Sequence, residues 1–123
     1  MTLSSFVFML SSCDKAHGPI VPEIVSFQND VQPIFDQNCI SCHPNSGDMS
    51  LKEGESYSNL VNVISPNYLL ARVSPFNADS SVICMKLHGV EGYGFQMPLN
   101  GIPLEDEEIK TIEAWIDQGA LDN

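Results

Sequence analysis

Cys39-Ile40-Ser41-Cys42-His43 is the stretch on which the reading of this chain turns. Two thiols three positions apart, followed at once by an imidazole, suit one chemistry above others. Both sulfurs can add to the vinyl groups on one edge of a porphyrin, and the histidine can then reach the iron from one side. The expected cofactor is one haem c, held covalently by Cys39 and Cys42 and ligated by His43. Upstream, Phe27, Val31, Ile34 and Phe35 recur at i, i+4, i+7 and i+8, one face of a helix. Proline is tolerated in a first turn but not mid-helix, so Pro33 places the regular helix from about residue 29 or 30 to Asn38. That helix ends at the motif and presents its three groups together.

Two other chemistries use the same residues. Cys84 and His88 stand at i, i+4, and with Cys39 and Cys42 they make a Cys₃His zinc set. Cys39 and Cys42 alone make a redox disulfide. Thioredoxin-like motifs, however, sit beside a βαβ pattern, which this sequence lacks.

After the motif, residues 44–56 are loop-like, with Asn45, Ser46, Gly47 and Gly54. Tyr57, Leu60, Val61 and Ile64 predict a short helix, and residues 68–73 a further one. Asp79 or Ser80 is expected to cap a helix over residues 81–87, which Gly89 ends. Residues 89–101 form a long glycine-rich loop, a feature that in small domains usually serves function. The last helix is the clearest: Ile109, Ile112, Ile116 and Ala120 keep helical spacing. Glu105, Asp106, Glu107 and Glu108 crowd its first turn, where the helix dipole favours negative charge, and Gly119 marks its stop. The expected fold class is all-α, with four to five short helices and long loops around one covalently bound haem.

A chain of 123 residues reads as one domain with a modest core. Hydrophobic residues make up 43% of it, enough for folding. Its formal charge of −11 repels nucleic-acid phosphates and favours redox partner proteins with a basic docking face. Residues 1–12 read as a lipoprotein-type signal peptide. Phe6 to Leu10 is apolar but far short of the ~20 residues of a spanning helix, and Leu10-Ser11-Ser12-Cys13 follows it. The first five residues lack the Lys or Arg that signal peptides carry. Cys13 is the expected lipidation site, and residues 13–26, broken by Gly18, Pro19 and Pro22, a flexible tether. Residues 27–123 are the expected folded domain. The chain is thus expected to be exported, on the periplasmic or cell-surface side of a membrane to which Cys13 anchors it. Of its four cysteines, lipid takes Cys13 and haem takes Cys39 and Cys42, leaving Cys84 as a lone thiol.

The iron's other axial position is assigned to Met97, in the glycine-rich loop beside Pro98. Thioether ligation opposite histidine raises the reduction potential and suits electron transfer. Met85, Met49, His88 and His17 are weaker choices by position. Arg72, the sole arginine, suits a bidentate contact to a haem propionate or a surface role. Trp115, Phe35 and Tyr93 pack on the porphyrin or in an ordinary core.

With these residues in view, the chain resembles the bacterial monohaem c-type cytochrome domains. The resemblance runs over residues 27–120 and is carried by Asp30-Val31-Gln32-Pro33-Ile34-Phe35, the Cys39 to His43 motif, Gly47-Asp48-Met49-Ser50-Leu51, Tyr57-Ser58-Asn59-Leu60-Val61, Arg72-Val73, Asp79-Ser80-Ser81, Met97-Pro98, Glu108-Ile109 and Trp115-Ile116-Asp117-Gln118-Gly119-Ala120. The haem motif and the Met-Pro pair are its specific parts. It implies a cytochrome c fold with the first and last helices packed together, and His43 and Met97 as axial ligands. Gln96 stands where such domains commonly have arginine before Met-Pro. The expected function is one-electron transfer, with no small-molecule substrate turned over and no enzymatic activity. The alternative is a haem-based ligand sensor with a displaceable sixth ligand.

Overall fold

Pro33 shapes the entry to the first helix. The structure, a computed structural model, describes residues 20–123; the expected signal peptide and Cys13 lie outside the described residues. Phe27–Val31 winds as a wide π-turn, in which the Gln32 N–H reaches back to the Phe27 carbonyl. A regular helix, α1, follows over Gln32–Asn38 with Pro33 in its first turn. In an unbroken α-helix the proline ring would crowd the carbonyl four residues before it, and one widened turn avoids this. Ser26 caps the segment: its hydroxyl accepts from the Asn29 N–H (3.1 Å). Asp30 returns the bond, accepting from the Ser26 N–H (2.7 Å).

Three more helices follow: α2 at Ser56–Leu60, α3 at Val82–Leu87 and α4 at Asp106–Asp117. Short 3₁₀ turns lie at Ser46–Asp48 and Ala78–Ser80. The described residues contain no strand, only two isolated bridges, Val61 to Val73 and Ile64 to Ala71. The fold is all-α. The helix expected over residues 68–73 is not formed, and this corrects the sequence reading. Pro66 lacks an N–H to donate, and Leu69 turns left-handed at φ 56. Arg72 N–H then donates to the Val63 carbonyl (2.7 Å) and Val73 N–H to that of Leu60 (3.1 Å). The segment is therefore an extended ribbon folded on residues 60–65.

α4 follows its acidic signal closely. Glu105 and Glu108 form a reciprocal capping box, with the Glu105 N–H donating to Glu108 Oε2 (3.1 Å). Gly119, at φ 111, ends the helix. The N-cap of α3 is Ser81, not Asp79 or Ser80, because those two residues lie in the 3₁₀ turn that Asn77 caps.

The core joins the two ends of the domain. Phe27, Val31, Phe35, Leu60, Ile112 and Trp115 are almost wholly buried in one cluster. The C-terminal residues bind the entering chain by hydrogen bonds. Gln118 Oε1 accepts from the Val25 N–H (2.9 Å), and Asn123 Oδ1 accepts from the Phe27 N–H (2.8 Å). Val25, in the stretch read as tether, is 2% exposed, so the packed domain reaches back into that stretch. No helix among the described residues is long and apolar enough to cross a membrane.

Candidate functional site

α1 delivers the motif. Its last turn continues into residues 39–43 by backbone bonds: Cys39 N–H to the Phe35 carbonyl (2.8 Å) and His43 N–H to the Cys39 carbonyl (2.9 Å). This one tight turn places Cys39, Cys42 and His43 together. Both thiols are free; Cys39 is half-buried and Cys42 exposed. Burial, with the Glu108 carboxylate and Cys42 adding to it, pushes the Cys39 thiol up to about 11. The βαβ setting that accompanies a redox dithiol is absent among the described residues, which contain no strand.

His43 is oriented by a backbone group. Its Nδ1 lies 2.7 Å from the Ser46 carbonyl oxygen. A carbonyl can only accept, so Nδ1 is the protonated nitrogen, and in the neutral ring Nε2 keeps its lone pair. That arrangement is the one a metal-ligating imidazole needs. The loop bearing Ser46 is closed by Leu51 N–H on the His43 carbonyl (2.7 Å). Gly47, at φ 70, lies so near the ring that a Cβ there would sit 3.7 Å from His43 Cε1.

Arg72 reaches this loop. It is 9% exposed. Nη2 donates to the Gly47 carbonyl (3.0 Å), and Nη1 donates to that of Asn59 (2.9 Å). Of the two roles expected for it, the surface role is excluded by burial, and these donors are given to backbone carbonyls.

Met97 lies on the loop between α3 and α4 and is half-buried. Its N–H donates to the Lys86 carbonyl (2.9 Å), and the neighbouring Gln96 amide donates to that of Leu87 (2.8 Å). The loop is thereby fixed to the end of α3. Around Met97 it carries large apolar side chains outward: Phe95 is 82% exposed, Leu99 61% and Ile102 71%. A cleft of ≈ 230 Å³ runs beside Phe95, Pro98 and Leu99. Apolar surface of this kind clustered on one loop marks a place where something apolar binds.

Cys84 and His88 take other partners. Cys84 is buried in the core, and burial, with the Glu113, Asp117 and Asp79 carboxylates adding to it, pushes its thiol to about 12. His88 Nε2 pairs with Glu113 Oε1 at 2.6 Å. Among the described residues no three His, Cys, Asp or Glu side chains converge on a metal-sized site, so the zinc set is not assembled. Trp115 and Phe35 lie in the core. Tyr93 stacks obliquely on Tyr68, with centroids 5.1 Å apart.

The donor set that remains, two free thiols and one imidazole nitrogen with an open lone pair, fits a covalently attached haem. Cys39 and Cys42 would hold it and His43 would ligate it. Residue types announced Cys39, Cys42 and His43. The Ser46 carbonyl that orients His43 was not announced, because every residue carries a carbonyl and only the turn decides where it points.

No protein-family model matches the chain, and no curated protein matches it. A solved structure does. The fold resembles part of Kuenenia stuttgartiensis hydrazine synthase. The likeness has a TM-score of 0.56 at 25% identity and covers 78% of this chain. It spans only 16% of the solved chain, so the match is to a small piece of that protein. It also corrects one expectation. The sequence leads to an expectation of no enzymatic activity, whereas the matched structure is a synthase, of which the matched piece is 16% of the chain.

Proposed function

We propose that this chain is a one-haem electron-transfer domain of the c-type cytochrome kind. Cys39 and Cys42 would hold the haem through thioether bonds, and His43 Nε2 and the Met97 thioether would ligate its iron. The observation that carries this reading is the His43 Nδ1 bond to the Ser46 carbonyl (2.7 Å), directly after two free thiols. When bound, the haem supplies a single site that gains and loses one electron. The chain's own residues would do the rest: Cys39 and Cys42 attach the group, the Ser46 carbonyl orients the histidine, and the loop around Met97 offers apolar side chains. A histidine and methionine ligand pair would give the iron a potential in the higher range that suits transfer between proteins.

Lipid on Cys13 would hold the domain at a membrane face outside the cytoplasm. The net charge of −11 favours a redox partner with a basic face. The likeness to a segment of a hydrazine synthase fits a domain that exchanges electrons with a catalytic partner, either in the same chain or docked to it.

The test is an absorption spectrum of the chain expressed with c-type maturation machinery, beside Met97→Ala. The expected result is a covalent c-type spectrum, low-spin when oxidised and when reduced, whose methionine–iron charge-transfer band is lost in the variant. A resting spectrum that Met97→Ala leaves unchanged, or a high-spin, gas-binding haem, would move the reading to a ligand sensor. A chain that takes up no haem would overturn it.

A further inference from the structure

Arg72 is a buried cation with no anionic partner among the described residues. It is 9% exposed, and neither ion pair among the described residues includes it. Burying a charge is costly unless hydrogen bonds take it up. Three carbonyls do so: Asn59 (2.9 Å), Gly47 (3.0 Å) and, at longer range, Asp48 (3.5 Å). The guanidinium fork suits this use, since it offers several donors in fixed directions.

Two of these acceptors directly follow Ser46, whose carbonyl takes the His43 Nδ1 proton. Gly47 and Asp48 are left-handed in succession, at φ 70 and φ 53. A non-glycine residue in that region is costly and persists only where its surroundings hold it. Here Asp48 N–H donates to the Asn45 carbonyl (3.2 Å), and Arg72 takes the carbonyl of Gly47 and, at longer range, that of Asp48. The Ser46 carbonyl is given to the imidazole, and the next two carbonyls are given to the guanidinium. Arg72 is itself immobilised, with its N–H on the Val63 carbonyl (2.7 Å) and its carbonyl accepting from the Ile83 N–H (3.1 Å).

We propose that Arg72 is a positioning residue for His43: by clamping the Gly47 and Asp48 carbonyls it keeps the Ser46 carbonyl on Nδ1. That bond sets which nitrogen is protonated and how the ring is turned. The consequence for an iron rests on the reading under Proposed function. The clamp on the ring does not.

The test follows the His43 Nδ1 proton by NMR in ¹⁵N-histidine-labelled full chain, produced with the maturation machinery. Its exchange with solvent is measured in wild type, Arg72→Gln and Arg72→Lys, with the midpoint potential of each haem-loaded protein alongside. Loss of the held bond is expected to speed exchange about tenfold in Arg72→Gln, the size of one hydrogen bond. Arg72→Lys, which keeps a cation but reaches fewer carbonyls, should fall between. The potential should move in the same order if the Nδ1 bond tunes the ligand. A purely structural role would lower Tm in both variants and leave exchange unchanged, and that overturns the proposal. If Arg72→Gln does not fold, Arg72→Lys decides on the same measure. A wild-type chain whose His43 carries no Nδ1 proton overturns the proposal without any variant. A chain purified without haem overturns the electron-transfer reading instead, and the Nδ1 proton is then read in that chain.

Discussion

The ring of Phe27 lies 4.8 Å from that of Trp115, centroid to centroid, at an interplanar angle of 34°. This contact joins the segment that enters α1 to the last turn of α4. Phe27 also meets Tyr57 (5.3 Å) and Phe35 (6.3 Å), so one ring ties three elements together. The motif turn hangs from the end of α1, which makes this aromatic cluster the footing of the candidate site.

Truncating either member of that pair should cost about 3–5 kcal/mol, as for other large aromatics in cores. Trp115→Ala also frees the Leu121 carbonyl, which now accepts from Trp115 Nε1 (2.9 Å). The double variant should lose less than the two single losses together, by about 0.5–1.5 kcal/mol, the coupling typical of aromatic pairs. Urea unfolding followed by far-UV circular dichroism measures all three. Strictly additive losses would show that the rings do not stabilise one another.

His88 and Glu113 fasten α3 to α4. Burial raises the Glu113 carboxyl, but the hydrogen bonds and charges of His88 and Lys110 outweigh it, and its pKa falls below the ordinary value of 4.5. The pair therefore contributes stability that is present above the ordinary carboxylate pKa and lost as pH falls through the lowered one. Removing the imidazole by His88→Ala leaves Lys110 alone against burial. The acid limb of unfolding should then begin at higher pH. Because His88 is half exposed, the loss near neutral pH should be no more than about 1 kcal/mol. Acid titrations of both proteins, followed by circular dichroism, check this. Coincident acid limbs would mean that the contact is not held in solution.

The two ends of this fold could be read from residue types because they rest on local signals. Apolar spacing and an acidic first turn announce α4 whatever it packs against, and the boundary of α1 at Asn38 follows from the motif that begins at Cys39. What escaped depends on tertiary partners. Residues 68–73 have helix-compatible spacing, but the carbonyls of Leu60 and Val63 capture their N–H groups. Pro33 forces a widened turn rather than a later start, since the chain can keep Phe27 and Val31 in the core only by remaining coiled. Arg72 could be singled out by its rarity, yet its partners are backbone carbonyls, which leave no trace in sequence. The same holds for His43: the motif names the ligand, and the turn at Gly47 and Asp48 names its orienting group.

Cys84 offers a test of burial at alkaline pH. The thiol sits on α3 in the core, 3% exposed. Desolvation first, then the Glu113, Asp117 and Asp79 carboxylates, lift it from 9.0 to about 12. In the unfolded chain it ionises near its ordinary value, while in the folded chain it stays protonated. The folded-state pKa is the raised one, so its contribution is fully present below pH 9.0 and is lost as pH climbs from there to about 12. At about pH 10.5 this amounts to a loss on the order of 2 kcal/mol. Lysines titrate in the same range, so the measurement is a difference between proteins. Urea midpoints of wild type and Cys84→Ala, taken under reducing conditions at about pH 8 and again at about pH 10.5, isolate the thiol. Cys84→Ala should start lower, because it loses packing, and then fall less steeply with pH. If the two proteins fall in parallel, the Cys84 thiol ionises in the folded protein as readily as in water, and its place in a closed core is wrong.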